Sequence, residues 1–549
     1  MSYLGAPTPE PLEEWQDEEG RYISAALANL SKRHRMILLL SVALVTAIEI
    51  SNRISINVLL PDMQGNVAAD SDEISWVVIL YNLGFLCSLA LASWMTRVIG
   101  ARRHLLSSIV LYSVGAFGCF LSSRSLELLL TSRIIMGFGG GAFLVRAVIL
   151  ARLMFPGEAQ IIAVSWLYGV LSVFEIVYPV AMGSIADQLH WNYAFLLDFP
   201  FLAIGAFLIV KIIPPGFLFQ RKPGKVDVWG AALLIIALAC FQTATSRGER
   251  DLWFESAWIP PTLLVALVCF NAFLWWDSRA ANQSPVFHLH TIWRHAALRA
   301  SFSVVLVVGA ILGAALFVLP QYLRYVQDYS ATQTGGFISI YTTGLGVGLL
   351  LSLRVVTPRL GGPRSLAGGL LLLIATCALL VYIWTPTTPA SVLAPAVFLQ
   401  GFSVGLVLRG ASSVALANTA PVDVNDVSTA FFFLRQLGNT FGVTAATVMF
   451  DHRMTFHSSR MLDLANRLDP IVRSTLAQYA NLIHRNGGGS SNPALGALQL
   501  FQASVIRQSR LLSYIDIYFG LAVLAGLALI LLAVSRPKSK PGPTHFHSC

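Results

Sequence analysis

The feature that most limits this chain is the recurrence of long apolar runs from Met36 to Val534. A bilayer core takes about 20 apolar residues at about 1.5 Å rise each. Inside it every backbone polar group must be satisfied, which leaves helices or closed barrels. Runs of this length and continuity are helical. Fourteen spans can be drawn, beginning near Met36, Ile74, Leu105, Leu128, Ile161, Tyr193, Trp229, Ala257, Ala300, Thr334, Leu366, Ser391, Val427 and Ser513. The chain is therefore expected to be an all-α polytopic membrane protein. Only 12% of its 549 residues are charged, against about 25% in soluble domains.

An even number of spans puts both termini on one side. Arg97, Arg102, Arg103, Arg221, Lys222, Lys225, Arg279, Arg294, Arg359, Arg364, Arg536 and Lys538 fall on that side; Asp62, Asp70, Asp72, Glu73 and Asp187 fall on the other. Basic loops stay cytoplasmic, so both termini are expected in the cytoplasm. The net charge of +9 reads as membrane anchoring, with no nucleic-acid partner. No cleavable signal peptide is evident, and Tyr22 to Leu30 suits a short interfacial helix. Residues 451–512 form one large, polar outer loop. Its His452, His457 and His484 lack metal-ligand spacing and read as solvated side chains. Five of the six cysteines lie in apolar segments and none forms a CxxC pair, so neither a disulfide framework nor a metal site is expected.

Four echoes divide the chain into two halves. Pro61 and Pro320 close similar motifs 259 residues apart (320 − 61), and Gly100 and Gly361 lie 261 apart (361 − 100). Gly137 and Gly401 are 264 apart (401 − 137), and Arg146 and Arg409 are 263 apart (409 − 146). The expected division is a tail at 1–35 and a six-helix half at 36–213. Two inserted helices with flanking cytoplasmic loops follow at 214–299, then a second half at 300–535 and a tail at 536–549.

At this point the sequence resembles a known family, the fourteen-helix drug:proton antiporters of the major facilitator superfamily, EmrB/QacA type. The resemblance rests on NVLLP at 57–61, Trp76 and Tyr81, SWMTRVIGARR at 93–103, and Arg133 with Gly137. It continues through Asp227, Gly230, RGERDLWF at 247–254, LRQLGNTFGV at 434–443 and LLSYIDIYF at 511–519. It implies the major facilitator fold, two six-helix halves plus two inserted helices, with substrate held between the halves near the midplane. It also implies proton-coupled export of amphipathic drug-like compounds by rocker-switch alternating access in a bacterial inner membrane. A periplasmic adaptor and an outer-membrane channel are the implied partners, and no cofactor is implied.

The departures are specific. The family places an aspartate nine residues before the first-helix proline; here that residue is Asn52. In the loop motif the early glycine is Ser93 and the acid is Thr96, while Gly100, Arg102 and Arg103 remain. The fifth-helix motif keeps only Pro179 and Gly183.

Glu49 and Arg53 are four apart on one helix face. They are either a self-neutralised pair that lowers insertion cost, or Glu49 replaces the missing aspartate and cycles protons. Burial favours a neutral carboxyl and a nearby arginine an ionised one, so substrate can tip the balance. Glu175, four before Pro179, is either a structural partner for an arginine or a second titrating group. Arg133 matches a motif linked to proton coupling; Arg133 and Arg435 also suit interface anchors. The resemblance puts Asn52, Arg53, Arg146 and Arg409 near the substrate path, where arginines could clamp an anion. Export of organic anions is accordingly a rival reading, and a non-transporting receptor or scaffold a second. No Walker loop, nucleophile elbow or HExxH motif is present, which argues against an enzyme.

Overall fold

The computed structural model describes residues 31–155, 158–212, 227–248, 251–279, 296–417, 424–464, 470–485 and 493–534. Among them the regular structure is helical. The segment 22–30, Cys549, and basic residues Arg221, Lys222, Lys225, Arg294, Arg536 and Lys538 lie outside the described residues, as do the side chains of Ser93, Thr96 and Arg97.

The first half contains α1 (Lys32–Val67), α2 (Ser71–Ile99), α3 (Ala101–Leu121), α4 (Leu126–Gly140), α5 (Phe143–Met154) and α6 (Glu158–Gln188). A 3-10 segment (Trp191–Leu197) then leads into α7 (Asp198–Ile212). The inserted pair is α8 (Val228–Arg247) and α9 (Ile259–Asp277). The second half contains α10 (Ala296–Tyr325) and α11 (Ala331–Leu351), with a π turn (Ser352–Val356) and a last turn (Thr357–Leu360) extending α11. It continues with α12 (Gly362–Ile383), α13 (Ala390–Ala417), α14 (Val424–Leu464), α15 (Pro470–Arg485) and α16 (Pro493–Val534).

Among the described residues, thirteen segments are long and apolar enough to cross a membrane. The fourteenth span is α14, whose apolar part is interrupted by Arg435, Gln436 and Asn439. It packs along α10 and α16 inside the bundle, so the polar residues are enclosed by protein.

One packing scheme occurs twice. In the first half α1 packs on α6 and α7, and α4 packs on α2 and α3; in the second α10 packs on α14 and α16, and α13 on α11 and α12. Across the halves α6 lies along α11, and α2 along α14. Small residues allow these close approaches. A Cβ on Gly137 would strike the Tyr81 carbonyl, and one on Gly401 would strike the Tyr341 carbonyl. Gly100 and Gly361 each precede a helix with φ of 82° and 81°, a region that favours glycine.

Two segments differ from the sequence expectation. The span at Leu128–Met154 is not one rod: it breaks at Gly141–Ala142. Three successive glycines weaken the helix there, and Gly141 sits tight against the Phe85 carbonyl. The outer loop at 451–512 is largely helical. α14 and α16 project past the bundle, and α15 packs on α16. Such an amphipathic segment needs only a partner helix to order its apolar stripe.

Candidate functional site

α1 carries an unusual density of polar side chains for a buried helix: Ser51, Asn52, Ser55 and Asn57 follow the fully buried Glu49. Isolated ions in such a place are costly, and here the partners are visible. Arg53 Nε donates to Glu49 Oε1 at 3.0 Å. Tyr81 of α2 donates its hydroxyl to the same oxygen at 2.9 Å. The Arg53 guanidinium also stacks over Phe85, 4.8 Å from the ring centre.

This pair reaches the other half. Arg53 Nη1 donates to Gln436 Oε1 of α14 at 2.5 Å. Gln436 Nε2 donates to Asn82 Oδ1 at 2.9 Å, and Asn82 Nδ2 donates to Asn439 Oδ1 at 3.4 Å. A polar seam therefore joins α1 and α2 to α14. Beside it are the half-buried Glu175 and Arg435. Glu175 lies within electrostatic reach of Arg435, Arg53 and Glu49. Arg435 and Arg409 both lie within reach of Tyr168.

A second network lies deeper in the first half. Arg133, fully buried on α4, donates Nε to the Val77 carbonyl at 3.1 Å and Nη1 to Asn52 Oδ1 at 3.3 Å. It stacks on Tyr81 at 4.2 Å. Asn52 Nδ2 donates in turn to Asp198 Oδ2 of α7 at 3.0 Å. Arg133 is thus inside the bundle rather than at a helix end. Arg146 is elsewhere, buried on α5 with Nη2 against the His104 ring of α3. The structure brings Glu49, Arg53, Glu175 and Arg435 together, sets Asn52 and Arg133 behind them, leaves Arg409 bonded to Ser412 within electrostatic reach of Tyr168, and sets Arg146 apart.

The motif residues mark contacts of other kinds. Gly183 packs against the Ala331 backbone and Pro179 against Gly335, so the fifth-span motif seats α6 on α11. On the face opposite the termini, Asp62 pairs with Arg324 and Tyr325 donates to Gln64. Asp187 accepts from the Ala331 and Thr332 amides at 3.0 and 2.8 Å, which caps α11 across the interface. Arg102 Nη2 donates to the Val210 carbonyl at 3.3 Å on the terminal face; Arg103 begins the same helix, α3.

Sequence reasoning missed Asp198, Asn82 and Gln436. Asp198 carried a signal, an acid inside the apolar run LLDFP, since intramembrane acids are expensive. The two amides carry a weaker one, because uncharged polar residues also glue helices. A separate cavity between α8 and α14, lined by Phe241, Trp253 and Phe441, is away from these networks.

Paired halves around a polar seam, tied together on one face, define a membrane transporter. The family model of the Major Facilitator Superfamily matches residues 42–443, and the chain belongs to that superfamily. It is similar to the multidrug export protein EmrB of Escherichia coli, with 23% identity covering 91% of this chain and 94% of that protein. It is also similar to the multidrug resistance protein Stp of Mycobacterium tuberculosis, 25% identical over 70% of each chain. Among solved structures, the peptide transporter POT aligns with TM-score 0.62 and 12% identity, covering 94% and 98% of the two chains. A bacterial homologue of the lysosomal transporter Spinster, inward-facing and unoccupied, aligns with TM-score 0.57 and 14% identity, covering 93% and 100%.

Proposed function

We propose that this transporter exports amphipathic drug-like compounds in exchange for protons, by rocking its two halves about the polar seam. The observation that carries the reading is the double engagement of Arg53, bonded to Glu49 within its own helix and to Gln436 across the interface. Protonation of Glu49 removes the charge that orients Arg53, and freed Arg53 loosens its hold on α14. Charge-assisted bonds contribute about twice a neutral one, so the proton changes the seam more than any neutral ligand contact could. Glu175, near Arg435, is the second candidate for the proton. The bonds at Asp62, Gln64 and Asp187 tie the two halves together on the face opposite the termini. With the termini in the cytoplasm of a bacterial inner membrane, substrate enters from the cytoplasm and leaves when those bonds break. The projecting helices beyond Asp451 are the surface an adaptor and outer-membrane channel would meet.

The test is flux of ethidium in reconstituted vesicles under an imposed pH gradient. Gradient-dependent movement is expected. Its absence for ethidium and a panel of cationic and neutral dyes would favour a receptor or scaffold. Export of organic anions is a second reading, favoured by Arg409 and Arg435 converging on Tyr168.

A further inference from the structure

The first-span aspartate that the resemblance calls for is absent, because position 52 is asparagine. The structure shows a carboxylate delivered to that place from another helix. Asp198 opens α7, 146 residues further on, and its carboxyl meets the Asn52 amide. Asn52 is held from both sides: its oxygen accepts from Arg133 and its nitrogen donates to Asp198. This fixes the amide orientation and makes it a bridge between a buried cation and a buried acid.

The other groups facing Asp198 can be named. Tyr112 of α3 donates to Oδ2 at 3.4 Å, and Tyr178 of α6 donates to Oδ1. Cys119 of α3 and Arg133 of α4 are further ionisable neighbours. Arg133 is the cation among them; its charge acts on Asp198 directly, while its hydrogen-bonded route to the acid runs through Asn52. Its Nη2 is buried with no hydrogen-bond partner among the described residues. A carboxylate surrounded by neutral donors can gain a proton without breaking a direct ion pair, and the spare guanidinium nitrogen records that the pairing is incomplete. From there Arg133 stacks on Tyr81, whose hydroxyl bonds Glu49, so the deep acid is connected to the seam.

We propose that Asp198 is the relocated coupling acid, binding a transported proton in the place the sequence leaves to Asn52. The inference rests on the proton-coupled reading above. A proton from the outer medium adds to one carboxylate oxygen, cancels its charge, and leaves by the same O–H bond toward the cytoplasm; no other bond changes.

The test pairs Asp198→Asn with the charge-swapped double variant Asn52→Asp/Asp198→Asn in lipid vesicles. Infrared difference spectra between acidic and alkaline pH read carboxyl protonation without any substrate. Among the titrating carboxyl C=O bands of the wild type, one is expected to be lost in Asp198→Asn, kept in Glu49→Gln, and regained in the double variant. Gradient-driven ethidium flux should fall at least tenfold in Asp198→Asn and return in the double variant. A purely structural counter-ion predicts an unchanged band pattern. The same set of titrating bands in Asp198→Asn as in the wild type, or no titrating band in the wild type, overturns the proposal whatever the transport result. No ethidium flux in the wild type counts against the exporter reading alone, since the spectra still decide Asp198.

Discussion

Arg53 and Gln436 are 383 residues apart in sequence, yet they share a hydrogen bond between α1 and α14. The bond belongs to an arginine whose Nε is committed to Glu49. One guanidinium thus couples the charge state of the first half to its grip on the second.

Glu49→Gln keeps the shape and removes the charge. Gradient-driven ethidium flux should drop to the level of vesicles without a gradient, while ethidium binding in detergent weakens less than about tenfold, the equivalent of about 1.4 kcal/mol. Wild-type flux in this variant would move the coupling to Glu175 or Asp198.

The tie on the face opposite the termini includes Asp62 and Arg324, both largely sheltered. Asp62→Asn should lose about 1 kcal/mol of pair energy and shift the population toward the outward-open state about fivefold. The readout is labelling of Thr342→Cys by a membrane-impermeant thiol reagent added from outside. An unchanged labelling rate would show that the Asp187 cap and the Tyr325–Gln64 bond hold that face without it.

Gly137→Ala puts a methyl group into the Tyr81 carbonyl. Overpacking of this kind costs about 1–3 kcal/mol. The thermal midpoint in detergent should fall, whereas Gly169→Ala, where nothing lies within 4 Å, should leave it unchanged.

Arg435→Gln separates the two substrate readings. Loss of organic-anion export with retained dye export assigns the arginines at Tyr168 to anion binding. Loss of dye export instead places Arg435 in the general transport cycle, beside Glu175.

The architecture was readable because it is written in composition: apolar runs, small residues at crossings and basic loops each act locally. The Glu49–Arg53 pair was readable for the same reason, being one helical turn. Asn52 and Asp198 were not, because their contact exists only once α7 folds back on α1, and neither residue marks the other in sequence. The projecting helices at 451–512 were read as loop because their composition is polar, and their order comes from packing on one another.

The break at Gly141–Ala142 has a bearing on how the protein is made. A helix that starts afresh at Phe143 leaves its first amides needing partners, and lipid supplies none. The fourth segment therefore cannot reach its final form while it stands alone in the bilayer. In the folded protein the second segment lies tight against the bend, its Phe85 carbonyl and Ser88 side chain close to Gly141. Biogenesis acquires a sequence of events from one bend, and a chain stalled after the fourth segment but lacking the second should be a substrate for membrane proteases.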